Sequence, residues 1–404
     1  MNNKANYKKG YKNEILQLTY ICGMIPYRSL RLLADAPRLY QRAVKEMEQE
    51  GILIVDKKGG EKNLRLQDRR NNKIKYEPYI PKEYIEYYEN VSREVLKRLG
   101  EENYMASKRE MRNSSTKIMM YASGVEITPD KRDLQTEMIK ESDVCYYNSP
   151  EIKTIIGYEN EIEIVTERNG EKSRKINNTR INGLLVSPGG NYAVYNIGKE
   201  MIEWKRKGEI KIAATITNLI RKRHEKEYSI TMQKEAVVIA QTPNQYIRII
   251  NNTNEKRIGK VNLINIDFTY DKMYAVPEDR HGVMLLKMMT QKGWRKKILD
   301  SIISEELQKA SSRSNIDCDG YDEENDIYYL VFCIPDIAKL KNYIKRAQIE
   351  EDKSRFRIYC YTHQLPIIAA IAGDSVQVSK VDIEKYYKKY FQECNESPHS
   401  KRGS

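Results

Sequence analysis

The stretch PRLYQRAVKEMEQEGILIVDKKGGEKNLRLQ, Pro37–Gln67, decides the reading of the N-terminal region. Its first half reads as a helix over Pro37–Glu50. Proline suits a first helical turn, where its missing N–H is not needed, and Gly51 suits the position just past the end. At 100° per residue, Leu39, Tyr40, Ala43, Val44 and Met47 cover one arc, and Arg38, Gln41, Arg42 and Lys45 cover the opposite one. The acids Glu46, Glu48 and Glu50 are confined to the C-terminal half. The second half has apolar residues at both ends and Gly59-Gly60 between them. That glycine pair supplies the positive-φ positions of a tight turn, so the segment reads as a two-stranded hairpin. Asp56, Lys57, Lys58, Glu61 and Lys62 crowd charge around its tip.

Two more helical patterns precede this stretch, one over Lys12–Cys22 and a short one from Tyr27 to Ala34. Residues 1–75 hold 17 Lys and Arg against 8 Asp and Glu, a net of +9 within a whole-chain charge of +13. Most of the excess charge therefore sits in less than a fifth of the chain, and a polyanionic partner is expected. Arginine and glutamine can contact base edges, and lysine and arginine can contact phosphates.

Three helices followed by a basic hairpin is the order of a winged helix-turn-helix, and residues 12–67 resemble winged-helix DNA-binding domains. The resemblance implies that Pro37–Glu50 is the recognition helix, entering the major groove of double-stranded DNA. It further implies that Lys57, Lys58 and Lys62 on the wing touch backbone or minor groove. A winged helix used for protein contacts is the alternative.

The 404-residue chain has room for several domains. The expected division is a DNA-binding domain over 1–78, a helical connector over 79–145, a mixed α/β domain over 146–275, a C-terminal α/β region over 276–395 and a disordered tail over 396–404. Pro78 and Pro81 break the chain before helical stretches at Tyr84–Leu99 and Ser107–Ala122, where Lys108, Arg109 and Arg112 read mainly as a solvated face. EIEIVTE and INGLLVSPGGNYAVYN read as strands, with SPGGN as a turn. A helix is expected over Ile212–Lys226, strands at Ala236–Gln241 and Asn262–Phe268, and helix around Met284–Ile303. IYYLVFCI, PDIAKLKNYIKR, FRIYCYT and LPIIAAIAG then alternate strand, helix, strand and helix. The fold class expected is multi-domain α/β with some parallel strands.

No GxxxxGK(S/T) or GxGxxG loop and no GxSxG elbow occurs, so no nucleotide chemistry is supported and no cofactor is expected. His224, His281, His363 and His399 are isolated from one another in the sequence, which does not indicate a His-based relaxase. Six scattered cysteines fit no metal spacing and read as reduced thiols, as in a cytoplasmic protein. No apolar run approaches the roughly 18 residues of a membrane span, and the N-terminal residues do not read as a secretory signal. DCDGYDEENDI, Asp317–Ile327, places Tyr321 and Asp322 where a calcium loop needs an oxygen ligand and a glycine, and reads as an acidic surface loop.

One catalytic candidate stands out. Glu209-Ile-Lys211 has the Glu-x-Lys spacing of restriction-endonuclease-like nucleases, in which carboxylates hold Mg²⁺ and the lysine supports the attacking water. Glu203-Trp204-Lys205 repeats the spacing. Such nucleases also need an acid on the preceding strand, where this chain has Asn182 and Ser187, so an active nuclease is not expected, and a degenerate nuclease-like fold kept for binding is the reading the pattern leaves open. A winged helix followed by a divergent nuclease-like region resembles replication-relaxation-type proteins of plasmids and conjugative elements of Gram-positive bacteria. RNSSTKIMMYASGVEITPDK, residues 112–131, is similar to segments of such proteins, and the Asn-, Lys-, Ile- and Tyr-rich composition suits an AT-rich genome. The resemblance implies a non-enzymatic DNA-binding protein acting in replication, transfer or transcriptional control, with a second copy or an element protein as further partner. A metal-dependent nuclease and a protein-interaction adaptor are the alternatives.

Overall fold

In the computed structural model the described residues are 3–33, 37–56, 61–67, 80, 82, 108–128, 142–152, 179–200, 204, 206–223, 233–251 and 269–392. They fall into two compact units, one formed by residues up to 137 with 145–173 and 182–184, the other by the rest. Lys57, Lys58, Gly59 and Gly60, the helix expected at Tyr84–Leu99, the strands EIEIVTE and Asn262–Phe268, and the tail lie outside the described residues.

The first unit runs α1 (Asn3–Cys22), β1 (Ile25–Pro26), a 3-10 turn (Tyr27–Leu32), α2 (Pro37–Gln49), β2 (Leu53–Asp56), β3 (Asn63–Leu66), α3 (Lys108–Ala122) and β4 (Cys145–Asn148). Its small sheet has the order β1-β3-β2. The hairpin is antiparallel, pairing Leu53 with Leu66 and Asp56 with Asn63. Helix α2 stops because Gly51 takes a φ of +65°. The Ile52 N–H then reaches the Met47 carbonyl at 2.9 Å and the Gly51 N–H the Glu48 carbonyl at 3.1 Å, a glycine-terminated close that occupies two orphan carbonyls. Tyr40, Ala43, Val44 and Met47 are buried on the side of α2 that packs on α1, where Ile15, Leu18 and Ile21 are buried as well, and Leu64 of β3, which packs on α1, is also buried. Leu39, expected in that arc, is 43% exposed because it sits on the edge of the stripe rather than within it.

Helix α3, expected as part of a connector beyond residue 78, is packed into this unit. Met111, Ile118, Met119 and Met120 are buried. The hydroxyls of Ser115 and Ser29 lie 3.1 Å apart, and the Ser114 hydroxyl donates to the Cys22 carbonyl at 3.4 Å. The packed body therefore extends past the expected boundary.

The second unit takes up the chain within β5 (Gly183–Ser187). It continues through β6 (Gly190–Gly198), α4 (Arg206–Arg223), β7 (Glu235–Ala240), α5 (Pro243–Asn251), β8 (Lys272–Pro277), α6 (Arg280–Met289), α7 (Trp294–Ile302) and α8 (Glu305–Ser311). Then follow β9 (Gly320–Asp322), β10 (Ile327–Val331), α9 (Ile337–Ile349), β11 (Phe356–Tyr361), α10 (Leu365–Ala372), β12 (Gln377–Val381) and α11 (Ile383–Tyr387). Strands β5 to β8 lie side by side in sequence order, and β6, β7 and β8 are parallel. All six residues of β7 are buried, as expected of a parallel strand covered on both faces. The second sheet has the order β12-β11-β10-β9, with β10, β11 and β12 parallel and β9 antiparallel.

The two sheets belong to one body. The Ala275 N–H donates to the Pro335 carbonyl at 2.8 Å, and Tyr274 and Asp336 form an antiparallel bridge. The boundary expected at 275/276 falls inside β8, so the chain is not divided there. In the acidic segment, the carboxylate of Asp319 takes the ammonium of Lys339 and, at 2.8 Å, the Val331 N–H. Asp319 thus ties β10 to α9.

Candidate nucleic-acid interface

Helix α2 sorts its side chains by chemistry. Arg38, Gln41, Arg42 and Lys45 are exposed, opposite the buried stripe of Tyr40, Ala43, Val44 and Met47. Two of the three acids in the C-terminal half of α2, Glu46 and Glu50, pair with Lys12. Lys12 of α1 lies 3.2 Å from Glu46 and 2.7 Å from Glu50. Its ammonium is held charged to higher pH, first by the hydrogen bond to Glu50 and against some desolvation. Arg42 reaches back to Glu46 at 3.1 Å, an i,i+4 pair whose arginine is 66% exposed. Such a pair is worth only about 0.3–0.5 kcal/mol and opens readily for a better anion. The N-terminal half of α2 therefore presents two guanidinium groups, an amide and an ammonium on one accessible face.

Three residues, Glu50, Gly51 and Ile52, separate the end of α2 from the hairpin. Of the three wing lysines, Lys62 is placed. It is exposed, with its ammonium 5.7 Å from the centre of the Tyr27 ring. Lys57 and Lys58 lie outside the described residues. The hairpin is fixed by charge pairs at its sides: Arg65 to Asp56 at 3.0 Å across the strands, and Arg28 of the 3-10 turn to Glu61 at 2.6 Å. The Tyr27 N–H donates to the Lys62 carbonyl at 2.8 Å, which clamps the tip-side end of β3 to the 3-10 turn.

The nuclease-like pair has a different geometry from the one expected. Glu209 and Lys211 lie on helix α4, which begins at Arg206, six residues before its expected start. On a strand, positions two apart share a face; on a helix they diverge by about 200°. The buried series Ile212, Ala213, Ile216, Leu219 and Ile220 has helical spacing and draws the first turn, with Glu209, into the helix.

Glu209 is fully buried, and its carboxylate is occupied. The Thr179 hydroxyl and the Tyr195 hydroxyl each donate to Oε2 at 2.8 Å, and the Arg180 N–H donates to Oε1 at 2.7 Å. Burial raises its pKa, with the Arg180 N–H and the two hydroxyls opposing. A metal would have to displace three donors to reach it, so this carboxylate serves as a buried acceptor. Asn182, at the position where the nuclease pattern needs an acid, donates to Asn113 at 2.6 Å, and Ser187 closes the β5–β6 turn onto the Gly190 carbonyl at 2.9 Å. In the second Glu-x-Lys copy Trp204 is buried, while Glu203 and Lys205 lie outside the described residues.

Two of the histidines that stand apart in the sequence meet in space. The rings of His281 and His363 stack with centres 4.6 Å apart and planes within 7°. One opens α6 just after β8 and the other follows β11, so the signal was their placement at the carboxyl ends of parallel strands rather than their spacing. Among the described residues no group of three His, Cys, Asp or Glu side chains is arranged to hold a metal ion, and no helix is long and apolar enough to cross a membrane. No family model, curated protein or solved structure matches the chain.

Proposed function

We propose that this chain is a non-enzymatic, sequence-preferring double-stranded DNA-binding protein that acts through an N-terminal winged helix. The observation that carries this reading is the face of α2: Arg38, Gln41, Arg42 and Lys45 are exposed, while the opposite stripe is locked into the core. The element order and the β1-β3-β2 sheet support a winged helix, with α2 as recognition helix and β2–β3 as wing. Side chains near the N-terminus of a recognition helix are the ones that meet base edges, and here those are Arg38, Gln41 and Arg42. The likeness of residues 112–131 to segments of mobile-element proteins supports a role in replication, transfer or transcription of such an element, with a second copy or an element protein as further partner.

The test uses the full chain and a duplex target selected from random sequence. A bidentate base contact is worth about 1–3 kcal/mol of discrimination, so Arg42→Ala is expected to weaken the selected target about 10- to 100-fold while changing random DNA much less. Lys45→Ala, a phosphate contact in this reading, is expected to weaken both DNAs alike and to lower the log–log salt slope by about 0.9. Binding curves at several salt concentrations decide. Equal losses on both DNAs for Arg42→Ala would remove its role in base reading, and no duplex binding at low salt would remove the proposal itself.

A further inference from the structure

With +9 of the net +13 in residues 1–75, the rest of the chain carries only +4. Residues 280–302 and 383–392 alone hold nine Lys and Arg against two Asp and Glu, a net of +7. What remains beyond residue 75 is therefore net acidic. The second concentration of positive charge lies on α6, α7 and the C-terminal helix.

These segments are neighbours in the second unit. Helix α11 and the π-helical turn Lys388–Gln392 that continues it run beside α6. At one end Glu384 is close enough to His281 to help keep that imidazole charged to higher pH. At the other, Gln291 Nε2 donates to the Phe391 carbonyl at 3.4 Å. Helix α7 closes on the same place: its Ser301 hydroxyl meets that of Tyr386, and the Lys297 ammonium lies 4.6 Å from the centre of the buried Phe391 ring. Lys292, Lys296, Lys385, Lys388 and Lys389 are exposed around this junction.

Lys385, Lys388 and Lys389 are three and four residues apart and share a helix face, where like charges repel. An anionic partner removes that cost. The two acids stand aside, Asp300 accepting from Gln308 Nε2 at 3.1 Å and Glu384 lying at the His281 end. Tyrosines are interleaved with the lysines. Tyr390 is half-buried, with its ring 4.8 Å from that of Tyr386 and the Lys389 ammonium 4.8 Å from its centre. Tyr387, also half-buried, stacks on Phe391 with planes within 8°.

We propose that this stripe binds single-stranded DNA, with phosphates on the lysines and bases against Tyr390 and Tyr387. Ammonium groups are compact charges suited to phosphate. The faces of bases are buried in a duplex and open in a single strand, where aromatic rings can stack on them. An acidic protein would satisfy the lysines but would make no use of the rings among them. The guanidinium of α7, Arg295, is tied to Glu235, so the stripe holds point charges and rings, and little sequence preference is expected. The choice of DNA over RNA rests on the function proposed for α2.

Fluorescence anisotropy of a labelled oligothymidylate, titrated with the full-length protein at several salt concentrations, tests this. The triple variant Lys296→Ala, Lys388→Ala, Lys389→Ala is expected to bind at least tenfold more weakly. Its log–log salt slope should fall by about 2, at about 0.7 per phosphate contact on a single strand. All three side chains are exposed, so the melting temperature is expected to hold. Tyr390→Leu is expected to weaken binding about tenfold and Tyr390→Phe to bind like the parent, because stacking needs the ring and not the hydroxyl. The two DNA readings fail separately: the lysine variant should still discriminate selected from random duplex, and Arg42→Ala should still bind oligothymidylate as the parent does. No binding of oligothymidylate at low salt, or an unchanged slope in the lysine variant, would overturn the proposal. So would equal losses in Tyr390→Leu and Tyr390→Phe, displacement by polyglutamate as effective as by oligothymidylate, or tighter binding of oligouridylate.

Discussion

Glu209→Ala is expected to destabilise the second unit by about 3 kcal/mol or more and to leave the DNA affinity of the folded protein unchanged. The substitution strips one acceptor from three buried donors at once, the Thr179 and Tyr195 hydroxyls and the Arg180 N–H. Each orphaned donor costs about 1–3 kcal/mol, with some relief as the hydroxyls turn. Tyr195 softens part of the loss, since its hydroxyl also lies 2.7 Å from that of Tyr270. Glu209→Gln is expected to cost much less, because an amide keeps one acceptor and the two hydroxyls can rotate to accept from its nitrogen. Urea unfolding reads the difference as a shift in midpoint at constant slope. A Glu209→Ala protein that keeps its midpoint but loses a Mg²⁺-dependent nicking activity of the parent would reverse the argument and make the carboxylate catalytic.

The misreading of Glu209 shows what local spacing can and cannot carry. Glu-x-Lys is informative only once the residues around it are known to be extended, and the apolar positions that settle this, Ile212 to Ile220, follow the motif rather than flank it. Helix α2 was legible because independent signals agreed: a proline at its start, the positive-φ Gly51 at its end and an apolar stripe between. Leu39 was misplaced because projection locates the centre of a stripe better than its edge. Helix α3 was misjudged for a different reason. Its run Ser114-Ser115-Thr116 carries no apolar signal, yet all three are at most 4% exposed. Their hydroxyls are satisfied inside, on Cys22, on Ser29 and, for Thr116, on the Arg112 carbonyl of its own helix at 2.8 Å. The stacking of His281 on His363 was not legible at all. They follow β8 and β11, in two sheets whose joining at Tyr274 and Asp336 no local pattern announces.

Glu151→Gln is expected to stabilise the protein by about 3 kcal/mol at pH 7 and to have little effect near pH 4. The side chain is 1% exposed and closes a reciprocal pair at the end of β4: the Asn148 N–H donates to Oε2 at 2.6 Å, and the Glu151 N–H donates to Asn148 Oδ1 at 3.0 Å. This is the capping box of the Asn-Ser-Pro-Glu sequence. Burial pushes the Glu151 pKa from 4.5 up to about 8, with the Asn148 N–H opposing. The folded state therefore keeps its proton between those two values, while the unfolded chain has lost it. Folding takes up a proton throughout that window, so this group's contribution to stability is complete below about pH 4.5 and is lost as the pH rises through 8. At pH 7 the interval is about 2.5 pH units, and at about 1.36 kcal/mol per unit the loss is about 3 kcal/mol. Glutamine keeps an oxygen for the Asn148 N–H and has no proton to lose. Other acids also titrate over this range, but they are common to both proteins, so the difference between the two unfolding curves isolates Glu151. That difference should grow from near zero at pH 4 to its full value by pH 8. Curves that run parallel from pH 5 to 8 would mean that the carboxyl ionises in the folded state at its ordinary pKa.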